Sequence, residues 1–163
     1  MGAWSETIMG GDSPLDAEVF ILRFVGLSEQ GGDSFDWKDA PDVLRQALEM
    51  KTSYDWETLL NACNLSSSNR DVQMEREIAA QVIALLHLET GATLPSCIAK
   101  AAIESCEQED IRIWNRPERR RFYLDHFIDQ IKNYDGTPTS IPEEGLFEVI
   151  QNGGARSTPR SKM

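Results

Sequence analysis

The chain has 163 residues, 40% of them hydrophobic, which is the length and composition of one globular domain with a sizeable core. Its formal net charge of -11 argues against nonspecific binding to nucleic acid, because phosphates are held by Lys and Arg. Three cysteines without a Cys-x-x-Cys pair argue against a disulfide framework and a structural zinc site, and no apolar run is long enough to span a membrane. We expect an acidic, cytoplasmic protein with free thiols.

The first sixteen residues have sequence features of an ordered segment and not of a flexible terminus. Trp4 offers a large apolar anchor that we expect to seal the core, and the glycines at positions 10 and 11 allow a turn. Ser13 as N-cap, followed by Pro14, predicts a first helix that runs to about Val25. The apolar face expected to turn inward carries Leu15, Val19 and Leu22, with Phe20 and Phe24 on its flank.

Two shorter helices are expected next. A loop rich in glycine and aspartate at residues 26–39, from which Trp37 folds back onto the body, precedes a helix at about residues 40–51. A further short helix begins at Ser53 or Asp55, both of which are good N-cap residues. The inward positions of the helix at residues 40–51 are Val43, Leu44, Ala47 and Leu48.

The clearest helical pattern lies at about residues 71–90. Apolar residues recur there at three- and four-residue spacing, and Gly91 supplies a left-handed stop. The exposed face of this helix is expected to carry Glu75, Arg76 and Gln81.

Two more helices are predicted in the last third of the chain. One covers about residues 95–107, with Pro95 at its first position. A connector that contains Trp114 follows, and Pro117 then opens the last long helix, which ends near Tyr134 at an Asp-Gly-Thr-Pro stop.

These elements predict an all-α fold, a compact single-domain bundle of about six helices with an ordered N-terminal segment. The helical domain is expected to cover residues 1–138. Residues 139–152 form a C-terminal extension that can hold a short helix, and residues 153–163 have the polar composition of a disordered tail.

The usual catalytic motifs are missing from the sequence. It has no His-Glu-x-x-His, no Gly-x-Ser-x-Gly elbow, no phosphate loop and no Gly-x-Gly-x-x-Gly. His126 lies between Asp125 and Asp129, an arrangement more typical of a solvated acidic face. His87 lies one residue from the apolar row of its helix and is expected to be packed there or to lie at its rim, and not to be a ligand. We therefore predict no catalytic residue, no metal site and no cofactor.

Three consecutive arginines, Arg119 to Arg121, form the main positive run. They lie near a helix N-terminus, where the macrodipole disfavours cations, so we expect them to have an internal carboxylate or an acidic ligand as partner. We expect at least one to meet Asp12 or Asp16 and so to join the two ends of the chain. The candidate binding residues are Trp4, Asp12, Asp16, Trp114, Arg119, Arg120 and Arg121.

Several motifs occur together over residues 1–138: Met1-Gly-Ala-Trp4, a Gly/Asp turn before Leu15-Asp16, Gly91, Pro95, Trp114, Pro117-Glu-Arg-Arg-Arg121 and Asp135-Gly-Thr-Pro138. In these the chain resembles a small uncharacterised bacterial and phage family whose members open Met-Gly-Ala/Thr-Trp-Gly. Ser5 and Thr7 stand where glycines are common in that family. The resemblance implies a helical fold and no established activity.

Three functions remain open from the sequence. The leading one is a noncatalytic, acidic interaction protein that binds a protein partner with a basic surface, with neither nucleic acid nor membrane as partner; in a phage or mobile element it would modulate a host factor in the host cytoplasm. The second is a metal- or anion-dependent enzyme that uses Glu6, Asp12 and Asp16 with the arginines. The third is an inhibitor whose carboxylates mimic nucleic-acid phosphates.

Overall fold

A computed structural model describes residues 5–27, 36–63 and 75–142 of the protein. These residues contain six α-helices and no strand, which confirms the all-α prediction. Predictions for Trp4, for residues 71–74 and for residues 143–163 lie outside the described residues. The helices are α1 (Asp12–Phe24), α2 (Pro41–Glu49), α3 (Ser53–Cys63), α4 (Arg76–Thr90), α5 (Ser96–Gln108) and α6 (Pro117–Lys132), with single 3-10 turns at Trp37–Asp39 and Ile111–Ile113.

Helix α4 is the centre of the fold. It contacts α1, α2, α3 and α5, and its residues from Ala79 to Leu88 are all buried. A helix that is apolar on nearly every side must be surrounded to be stable in water. The alanines at positions 79, 80 and 84 allow the neighbouring helices to approach closely. Helix α6 lies outside this group and packs on α5.

The inward faces of α1 and α2 differ from the prediction. Leu15 and Val19 were expected in the core but are 39% and 42% exposed, while Ala17 and Ile21 are buried instead. On α2, Val43 is 45% exposed. The apolar stripe of each helix is wider than the surface that α4 covers, so one edge of each stripe remains in solvent.

Two helix starts also differ from the prediction. Helix α1 begins one residue before Ser13, and its N-cap is Gly11 in an extended conformation, which makes no side-chain capping bond. Pro95 is the N-cap of α5 rather than its first residue. Proline is tolerated throughout the first turn, because the N–H groups there have no intrahelical acceptor, and its position therefore does not define the start to one residue.

Gly91 ends α4 as predicted, with φ +80 in the left-handed region. A Cβ at this position would meet the Cδ and Cγ of Pro138 at 3.0 Å and the carbonyl oxygen of Gly136 at 3.1 Å. The chain after α6 returns here, where the Thr139 N–H donates to the carbonyl of Leu88 at 2.8 Å. The glycine thus serves both the helix end and the contact with the returning chain.

We predict that Gly91→Ala lowers the free energy of unfolding by about 2–3 kcal/mol, since the substitution adds steric contact to left-handed strain. Gly26→Ala is the matched control, because Gly26 has φ +86 but open space where the alanine methyl group would lie; it should cost only about 1 kcal/mol. Urea unfolding of both variants measures the difference. Equal losses would show that the contact with Pro138 contributes nothing.

Candidate functional site

A cavity of about 420 Å³ opens between the N-terminal segment (residues 5–11), the starts of α1 and α4, and the connector between α5 and α6. Four carboxylates and a single guanidinium line it, and we call it the acidic cavity. Its apolar side chains include Ile8, Ile78, Val82, Ile113 and Trp114, and its charged side chains are Glu75, Glu77, Glu109, Asp110 and Arg120.

Arg120 lies at the back of the acidic cavity and is only 4% exposed. Its Nε donates to Glu109 at 2.6 Å, and its Nη2 donates to Glu109 at 2.9 Å and to the Gln81 side-chain oxygen at 3.3 Å. Its Nη1 donates to the main-chain carbonyls of Thr7 at 2.9 Å and Glu6 at 3.2 Å. A guanidinium has five N–H groups, so this arginine has no free donor for a ligand.

The Glu109 carboxylate is likewise fully engaged in hydrogen bonds. Besides the two bonds from Arg120, it accepts from Trp114 Nε1 at 2.9 Å and from Gln81 Nε2 at 3.3 Å. Burial raises the pKa of Glu109, but the hydrogen bonds and charge of Arg120 outweigh it, so the pKa lies below its usual value. The carboxylate is therefore a fixed, charged part of the wall.

Trp114 and Gln81 complete the cluster around this ion pair. The Arg120 guanidinium lies 4.2 Å from the centroid of the Trp114 ring, a cation–π contact that shields it further. Gln81 also donates to the Ser105 hydroxyl at 3.2 Å. We call Arg120, Glu109, Gln81 and Trp114 the arginine cluster. It connects α4, α6, the connector and the N-terminal segment, and every strong donor in it has an acceptor.

The arginines of the triplet were expected to have either an internal carboxylate or an acidic ligand as partner, and for Arg120 the partner is the internal carboxylate of Glu109. At least one arginine of the triplet was expected to meet Asp12 or Asp16 and so to join the two ends of the chain. Arg120 does reach the N-terminal segment, but it does so through main-chain carbonyls and not through Asp16. Asp16 is exposed on α1, whereas the carbonyls of residues 6 and 7 take its place and Arg116 binds the Glu6 carboxylate at 3.1 Å. The Asp12 side chain and Trp4 lie outside the described residues.

The arginine triplet does not form one positive surface. Arg120 is buried, and Arg121 binds Asp125 at 2.9 Å and the Cys106 carbonyl at 2.9 Å. Arg119 is half-buried. Consecutive residues on a helix point in directions about 100° apart, so three arginines in a row cannot share one face.

Sequence reasoning missed Gln81 and Glu109. Gln81 was predicted on the exposed face of α4, and this is wrong, since it is 3% exposed. The available signal was its position in a helix that is otherwise apolar all round, where a polar residue needs a buried partner. Glu109 lies in the connector, eleven residues before Arg120, and has no local spacing that links the two.

Two further side chains of a type that can take part in catalysis, a histidine and a cysteine, lie in the core. His87 is fully buried, and burial lowers its pKa to about 4, while its Nδ1 lies 2.8 Å from the Ile83 carbonyl. Burial raises the pKa of the Cys106 thiol to about 12. Both groups are therefore neutral near pH 7, and the thiol is a poor nucleophile. The described residues hold no group of three or more His, Cys, Asp or Glu able to bind a metal ion.

No family model matches the chain, and no curated protein and no solved structure is significantly similar to it. The resemblance to the bacterial and phage family therefore stays a prediction, and function rests on the geometry of the site. None of the helices in the described part of the chain has the length and apolar character needed to cross a membrane.

Proposed function

We propose that this protein is a noncatalytic interaction protein that binds a basic segment of a protein partner in the acidic cavity. The observation that carries the proposal is the balance of charge in that cavity. Among the described residues, four carboxylates line it, and the one cation there, Arg120, is already saturated by Glu109, Gln81 and the carbonyls of residues 6 and 7. An incoming cation thus meets a negative field, and an incoming anion finds no free guanidinium donor.

The accessible charge lies at the mouth of the cavity. Glu75 and Glu77 are exposed at the start of α4, where the helix macrodipole stabilises carboxylates. Asp110 also lines the cavity, although the Arg112 guanidinium binds it at 2.9 Å and holds its pKa below the usual value. We therefore expect Glu75 and Glu77 to be the principal contacts for a basic side chain.

The apolar lining favours a peptide over a small free cation. Ile8, Ile78, Val82 and Trp114 line the same cavity as the exposed glutamates. Ile113 is 79% exposed at the rim of the cavity, where a partner can contact it. Aromatic and aliphatic anchors with a polar rim are the arrangement that protein interfaces use.

The arginine cluster supports a noncatalytic role, and the family resemblance supports a setting in the host cytoplasm. The polar groups of the arginine cluster are hydrogen-bonded to one another and to main-chain carbonyls. A general base or nucleophile needs a free atom directed at the substrate, so this arrangement supports a binding role over catalysis. The resemblance to a bacterial and phage family supports a modulator of a host factor, acting in the cytoplasm.

Calorimetric titration of the full chain with an acetylated, amidated peptide of alternating leucine and arginine tests the proposal. Glu75→Gln with Glu77→Gln should weaken binding roughly tenfold, or about 1.4 kcal/mol, and added salt should weaken binding to the unaltered protein. A peptide with glutamate in place of arginine should not bind.

The matched control is Glu57→Gln with Glu104→Gln, which removes the same charge at a different surface depression. It should change the affinity less than twofold. Equal weakening by both pairs would show a general effect of net charge and would refute the assignment to the acidic cavity. Preference for the glutamate peptide would refute the proposed partner class.

A further inference from the structure

The basic residues of the C-terminal sequence are chemically matched to the acidic cavity. Residues 153–163 contain Arg156, Arg160 and Lys162 and no acidic residue, in a chain with 27 acidic and 16 basic residues. The last residue that the structure describes before this segment is Pro142. The acidic cavity offers the opposite charge, with Glu75 and Glu77 exposed at its mouth.

We propose that the basic segment, residues 153–163, occupies the acidic cavity of its own chain and competes there with a partner. The proposal rests on the acidic cavity being the site of the proposed function. The segment is an internal pseudo-ligand, so that a partner binds only by displacing it.

The described chain ends beside the N-terminal segment, which also lines the acidic cavity. Pro142 lines a second cavity of about 290 Å³ together with Ser5 and Thr7 of the N-terminal segment. The same segment contributes Ile8 to the acidic cavity. Both cavities are therefore lined in part by one short stretch of chain.

The intervening chain is long enough to connect them. Arg156 follows Pro142 by fourteen positions in the sequence, and an extended chain of that length reaches about 45 Å. A domain of this size is only roughly 35 Å across. A tethered ligand of this kind has an effective concentration on the order of millimolar, so the segment occupies the cavity when its combined contacts there have an intrinsic dissociation constant well below that value.

Carbodiimide cross-linking of the full chain tests the occupancy directly, because it joins a lysine amine to a carboxylate in contact with it. An equal mixture of unlabelled and nitrogen-15-labelled protein distinguishes links within one chain from links between two. Mass spectrometry should find Lys162 joined to Glu75 or Glu77 within single chains. The link should be lost at 1 M salt, where surface charges are screened.

Peptide titration supplies the second measurement. Neutralising the segment by Arg156→Gln, Arg160→Gln and Lys162→Gln should strengthen binding of the leucine–arginine peptide about tenfold. Arg23→Gln, Lys100→Gln and Lys132→Gln remove three exposed cations elsewhere and serve as the control, for which we expect less than a twofold change.

The outcomes separate the two proposals. Absence of the Lys162 link, its presence only between labelled and unlabelled chains, or equal affinity of the neutralised and unaltered proteins overturns occupancy by the segment of its own chain. If the link forms within single chains but no variant binds the peptide, the proposed function fails while the internal occupancy stands. If the peptide binds every segment variant equally and no link forms, the reverse holds.

Discussion

Arg120→Met should lower the free energy of unfolding by about 3–5 kcal/mol, because breaking a buried ion pair leaves the remaining charge without compensation. Glu109 would keep its partly buried position, with its side chain 17% exposed, and would lose two of its four hydrogen bonds. The carbonyls of residues 6 and 7 would lose their donors as well, so the N-terminal segment should detach more readily. Urea denaturation at pH 7 measures the loss.

The pH dependence of this loss identifies its cause. Because the pKa of Glu109 is lowered in the folded protein, its contribution to stability is present above its ordinary pKa and is lost as the pH falls through the folded-state value. The gap between Arg120→Met and the unaltered protein should therefore narrow in acid. Arg112→Met is the control, since Arg112 is exposed and pairs at the surface, and it should leave stability nearly unchanged. A similar loss in both variants would refute the role of the arginine cluster.

Acidification from pH 6.5 to pH 4 should remove roughly 3 kcal/mol of stability through His87 alone, since one unit of pKa shift corresponds to about 1.4 kcal/mol. Burial lowers the pKa of His87 from 6.5 to about 4 in the folded protein. The unfolded chain takes up the proton first, so stability is full above pH 6.5 and falls until the folded-state pKa is reached. Chemical denaturation at a series of pH values measures this slope.

His87→Asn provides the comparison for this slope. The variant should be less stable at pH 7, because the ring that packs 5.5 Å from Trp56 is gone, but its stability should change little between pH 6.5 and 4.5. The nearby side chains of Glu49 and Tyr134 remain in place. Carboxylates whose pKa is lowered in the folded protein, such as Glu109 and Asp55, act below this window. Parallel pH profiles for the two proteins would contradict the assignment.

Local physical rules account for the parts of the fold that were predicted correctly. The three- and four-residue spacing of apolar residues in α4 and the left-handed stop at Gly91 depend only on neighbouring residues. The faces of α1 were not predictable to the same degree, because Leu15 and Ala17 both suit a helix and only the position of α4 decides which one is covered.

The candidate site was predictable only in part. The unfavourable position of the arginines near a helix N-terminus indicated that some of them need an acidic partner, but it did not decide between an internal carboxylate and a ligand, or which arginine is paired. The choice of Glu109 and of main-chain carbonyls in residues 6 and 7 depends on contacts between segments far apart in the sequence. A carbonyl acceptor has no signature in the sequence, since every residue carries one.

Nuclear magnetic resonance of the nitrogen-15-labelled full chain, titrated with the leucine–arginine peptide, tests binding at the acidic cavity most directly. The indole N–H signals of Trp114 and Trp56 are assigned by tryptophan-to-phenylalanine variants. Trp114 lines the cavity, whereas Trp56 is fully buried in the core. We predict that the Trp114 signal and the amide signals of Ile78 and Ile113 shift with saturation, while Trp56 stays fixed. Saturable binding that leaves Trp114, Ile78 and Ile113 unchanged would contradict the proposed site.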